Sequence, residues 1–95
     1  MPITPDGQFG NRADAHINLS NSQVQLFGAR PTTESMLYST ARFTAWFINS
    51  TATSRQNLEE KSVAEIEQFM AMFREMLEAN VQELVNRRTE DEAVK

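Results

Sequence analysis

In a chain of 95 residues without cysteine, chemistry would rest on a few side chains: the single histidine His16, the acid Asp14 two positions before it, Tyr38 and Arg42. The lack of cysteine removes disulfides, thiolate zinc sites and thiol nucleophiles. His16 would work as a general base only if a nucleophile and an orienting carboxylate converged on it. Asp14 is a poor orienter from the same helix, because residues two apart do not face each other. A metal site would need further His, Cys or clustered acids at ligand spacing, and the sequence offers none. His16 therefore reads as a residue at the edge of a core, hydrogen-bonded to a nearby oxygen. Arg42 stands beside Phe43, Trp46 and Phe47; it can snorkel to water, pair with an acid such as Asp14, or recognise an anion or a partner. Glu60, Glu67 and Glu78, with basic residues four positions from some of their neighbours, read as a solvated face rather than cation ligands. Gly7, Gly10 and Gly28 do not follow a strand and open a helix as a phosphate loop must. Neither a cofactor nor an enzymatic activity is expected.

Three helical segments carry these residues. Thr4-Pro5 pairs a capping hydroxyl with a proline suited to the first helical position, so helix one is predicted over about 5–26, with fraying near Gly7 and Gly10. Its apolar face is Phe9, Ala13, His16, Ile17, Ser20, Val24 and Phe27, at three- and four-residue steps. Gly28 and Pro31 end it, and Thr32 or Thr33 caps helix two, predicted over about 33–50. From Met36 to Ile48 helix two is apolar on nearly every side and carries one charge, Arg42. Such a helix is normally enclosed by neighbours, so the rest of the chain should cover it, and the strip of Tyr38, Arg42 and Trp46 is either the contact to helix one or a seam to another chain. Thr53 with Gln56, or Asn57 with Glu60, has capping-box spacing for helix three, predicted over about 55–88. Its apolar residues Val63, Ile66, Met70, Phe73, Leu77, Val81 and Leu84, widened by Phe69, Met72, Met76 and Val85, give the strongest periodicity in the chain. Met70, Met72 and Met76 suit either an adaptable interface or core filling. Residues 89–95, with Glu90-Asp91-Glu92, lose the apolar pattern and read as a flexible acidic tail.

Length and composition fix the class. With 40% apolar, 8% aromatic and 23% charged residues the sequence is that of a folding chain, and its length suits one domain. The net charge of −4 lies wholly after residue 53: three acids balance three arginines before it, whereas ten acids face six bases beyond it. That surface repels phosphate, so neither nucleic acid nor an anionic membrane is an expected partner. No signal-peptide pattern opens the chain and no run approaches a membrane span, which leads us to expect a cytoplasmic protein. Helix three is far longer than its neighbours, and its overhang would leave Val81, Leu84 and Val85 in water. A twofold dimer, or a partner protein, would cover them.

Arg12 to Leu19, Met36 to Trp46, and Met76-Leu77-Glu78 resemble a proteobacterial family of small helical proteins known only as a domain of unknown function. The resemblance runs from about Phe9 to Leu84. It implies a soluble, bacterial, helical protein, supplies no catalytic residue, and favours a meeting of Asp14, His16, Tyr38 and Arg42 between helices one and two. The sequence thus predicts an all-α, three-helix domain with a long third helix, completed by homodimerisation through Met70, Phe73, Leu77, Val81, Leu84 and Val85. Protein association is the expected function. The alternative is a small-ligand-binding or catalytic domain built on Asp14, His16, Tyr38 and Arg42.

Overall fold

The computed structural model describes residues 5–94. Among them are three α-helices and no strand: α1, Phe9–Phe27; α2, Ala29–Ser50; and α3, Arg55–Val94. The chain divides into two units, one holding α1, α2 and the chain to Leu58, the other holding α3 from Glu59 onward.

The start of α1 differs from the prediction. Thr4 lies outside the described residues, and Pro5 precedes the helix rather than opening it. Asp6 builds a turn first. Its Oδ1 accepts the Gln8 amide N–H at 2.7 Å, and its carbonyl accepts the Phe9 N–H at 3.1 Å. An aspartate that satisfies amides two residues on holds an Asx-type turn, which delays helical geometry until Phe9. Arg12 braces the turn from above, with Nη1 and Nη2 at 3.2 and 2.9 Å from the two Asp6 carboxylate oxygens. Hydrogen bonding to Arg12, then to Gln8, holds the Asp6 carboxyl below its usual range.

A single residue joins α1 to α2. Gly28 has φ 93° and ψ 164°, a region that essentially only glycine occupies. Its N–H closes α1 on the Val24 carbonyl at 2.8 Å, and α2 begins at once with Ala29. Pro31 is therefore not the stop that its position suggested. It is the third residue of α2, where the missing N–H is one of the four that have no partner inside a helix. Thr32 and Thr33, predicted as caps, are already inside the first turns: Thr32 is buried at 3% exposure, and the Thr33 hydroxyl donates back to the Ala29 carbonyl at 2.8 Å.

Helices α1 and α2 pack against each other. The shielded positions are Phe9, Ala13, Ser20 and Gln23 on α1 and Thr32, Thr44 and Ile48 on α2. These are mostly small or polar. The large side chains Ile17, Leu26, Phe27, Tyr38 and Phe43 stay exposed, and so does Trp46 at 61%, contrary to the enclosure expected of α2. Among the described residues only Ile48 and Thr32 are buried. One neighbouring helix meets only a narrow strip of the apolar circumference of α2.

Hydroxyls close α2. Ser50 and Thr51 donate to the carbonyls of Phe47 and Ile48 at 2.7 and 2.9 Å, satisfying groups the helix end leaves free. Ser54, rather than Thr53, caps α3: its Oγ accepts the Asn57 N–H at 3.0 Å, while Asn57 Oδ1 accepts the Thr53 N–H at 3.0 Å. The Ser54–Asn57 spacing is that of a capping box, one residue on from the predicted Thr53–Gln56 pair, but the Asn57 side chain returns to the Thr53 N–H rather than to that of Ser54. The 40 residues of α3 span about 60 Å. The helix continues through the segment read as a flexible tail as far as Val94; Lys95 lies outside the described residues. Loss of an apolar stripe removes packing, not helicity, and Arg87 to Ala93 contains no glycine or proline to stop the turn.

Candidate functional site

Tyr38, Arg42 and Trp46 follow each other at four-residue steps, which places them on one strip of α2. With Ser39 and Phe43 they line an open groove of about 350 Å³. The Phe43 and Trp46 rings stand 5.6 Å apart at 45°, a tilted pair that stiffens one wall. Arg42 thus lies among aromatic side chains, and among the described residues it has no ion pair.

Of the four polar residues singled out in the sequence, this groove brings together Tyr38 and Arg42. Asp14 and His16 are exposed on α1 and do not line it. Among the described residues, the side chains of Asp14, His16, Tyr38 and Arg42 make no hydrogen bond or ion pair with one another. His16 takes part in hydrogen bonding through its backbone, its carbonyl accepting the Ser20 hydroxyl at 2.9 Å. A base, a nucleophile and an orienting carboxylate are not assembled by these contacts. No group of three His, Cys, Asp or Glu residues able to hold a metal occurs among the described residues.

The second surface is the apolar stripe of α3. Met70, Phe73, Leu77, Val81, Leu84 and Val85 are all exposed in the single chain. Leu77 and Val81 line an open groove of about 470 Å³ with Arg74, Glu78 and Gln82. Its rim is pinned by Arg74 Nε against Glu78 Oε1 at 2.7 Å, an i,i+4 pair. A matching pair, Arg87 to Glu83 at 2.7 Å, lies further along the helix. A different strip of α3, through Leu58, Lys61, Ser62, Glu65, Phe69 and Met72, is partly shielded. There Lys61 and Glu65 pair at 3.4 Å with side chains only about a quarter exposed. Periodicity alone could not separate these strips, because both repeat every three or four residues.

Among the described residues no helix is long and apolar enough to cross a membrane. A family model described as a protein of unknown function, DUF3144, matches residues 9–85. No curated protein and no solved structure matches the chain.

Proposed function

The chain belongs to the DUF3144 family, and from that footing we propose that it works as a non-enzymatic association module, docking its exposed helical faces onto another polypeptide. One observation carries the reading. Among the described residues, twenty large apolar side chains are exposed while a single one, Ile48, is buried.

Burial at about 25 cal/mol per Å² is the main force that folds a chain, and this one realises little of it alone. Association completes the core. The open grooves beside Arg42 and Leu77 would then be contact surfaces rather than ligand pockets, since ligand sites enclose most of what they bind.

Light scattering behind size exclusion, together with thermal unfolding at several concentrations, tests the proposal. The expected result is a mass above 10.8 kDa and a midpoint that rises with concentration, as linkage requires. A cooperative monomer with a concentration-independent midpoint and no binding of an apolar dye would overturn it.

A further inference from the structure

Counted in sevens from Val63, the exposed stripe of α3 has the form of a coiled-coil seam. Val63, Met70, Leu77 and Leu84 occupy the first position of successive heptads, and Ile66 and Phe73 the fourth. The next fourth position is Asn80, a polar residue set between Leu77 and Leu84. We infer that the polypeptide covering this stripe is a second copy of the same chain, its α3 lying parallel and in register so that Asn80 meets Asn80 across a twofold axis. The inference rests on the association reading above and specifies its partner.

Asn80 gives the direction. Its Nδ2 donates to the Met76 carbonyl at 2.7 Å, which leaves its other amide hydrogen and its Oδ1 unused. A parallel pair lets each copy donate that hydrogen to the other's oxygen, so the buried amides satisfy each other. Antiparallel pairing that stacks Leu77 on Phe73 sets Asn80 against Met70. Antiparallel pairing that stacks Met70 on Phe73 brings Glu67 toward Arg74, but it sets Asn80 against Val63 and Leu84 against Glu59. An apolar neighbour leaves the amide unsatisfied, and a buried unpaired polar group is costly. A lone asparagine in such a seam is a known device for fixing register.

The flanks agree. In a parallel pair Glu83 of one copy approaches Arg88 of the other, five residues further on, and the twofold repeats the contact. Glu83 also holds Arg87 at 2.7 Å, so the carboxylate lies between two guanidinium groups where the stripe gives way to charge.

Because the chain has no cysteine, single thiols report the register directly. Purified full-length Asn80→Cys should form a disulfide-linked dimer under mild oxidation. Glu75→Cys, at an outward heptad position, should not. A mixture of Met70→Cys and Asn80→Cys chains should give homodimeric links only, and the wild type should have twice the mass of one chain. As a second readout, mixed Glu83→Arg and Arg88→Glu chains should prefer each other by roughly two- to tenfold over the statistical ratio, from two exposed ion pairs. Mixed 70-to-80 links without homodimeric 80-to-80 links would overturn the parallel register and leave association standing. A mass above two chains would overturn the pairwise seam. A wild-type mass of 10.8 kDa at all concentrations would remove self-association, and with it this inference.

Discussion

Leu77→Ala separates a surface residue from an interface residue. In the single chain Leu77 is 51% exposed, so truncating it there would lose only part of the roughly 1.5–3 kcal/mol that full burial of a leucine contributes. Alanine is also the better helix former, which offsets a further few tenths. A lone chain should therefore lose less than about 1 kcal/mol. In an assembly that covers the stripe the same truncation leaves a cavity, and such changes cost about 2–5 kcal/mol per site. A twofold seam contains the site twice, so the dimer should lose about 4–10 kcal/mol. At about 1.4 kcal/mol per decade, its dissociation constant should rise by about three to seven orders of magnitude. Sedimentation equilibrium over a dilution series reads the constant, and unfolding of the same samples reads the chain's own stability. A dissociation constant shifted less than tenfold would refute the assignment of Leu77 to a buried seam.

Three further outcomes follow from the described geometry. Gly28→Ala should destabilise the α1–α2 unit by about 1–3 kcal/mol, measured by chemical denaturation. The added Cβ would meet Pro31 Cδ only at an ordinary 3.9 Å, so an unchanged midpoint would mean that the positive φ is not retained in solution. Thr32→Val should be neutral or stabilising by up to about 1 kcal/mol, because the buried Thr32 hydroxyl has no partner; a clear loss in calorimetric stability would contradict this. Asp6 has a lowered pKa, so the stability it confers is fully present above its ordinary value of 3.8 and is lost as pH falls through the lower folded value. The Gln8 amide NMR resonance should titrate with a midpoint below 3.8, and Asp6→Asn should abolish that titration.

How much of this was legible depends on which signal each residue gives. Gly28 marked the break between α1 and α2, because a glycine before a proline is a strong punctuation. Pro31 was ambiguous: the missing N–H that ends one helix is equally tolerated in the first turn of the next. The capping chemistry of Thr53 to Asn57 was visible, but the hydroxyls of Thr53 and Ser54 compete for one role, and only the backbone selects Ser54. Glu90 to Glu92 read as a tail because hydrophobic periodicity reports what a helix packs on, not whether it is a helix. The exposure of Trp46 was not legible. An apolar circumference records a need for cover, and it does not say whether the cover is in the same chain. Asp14, His16, Tyr38 and Arg42 stand out by residue type, and side-chain type carries little information about which neighbours an exposed group will meet. Asn80 is not marked by steps of three and four, where Val81 bridges Leu77 to Leu84; only a count in sevens sets it in the stripe.

The single-residue joint at Gly28 also constrains how this gene can vary. A helix advances about 100° per residue, so one codon inserted between Gly28 and Thr32 would turn every later side chain of α2 by that angle. Thr32 and Ile48 would leave their shielded strip, and Tyr38 and Arg42 would point elsewhere. Substitutions along the exposed faces can be absorbed one at a time, but a change of length at this corner alters the whole helix at once. Insertions and deletions should therefore be purged from the corner far more strictly than replacements.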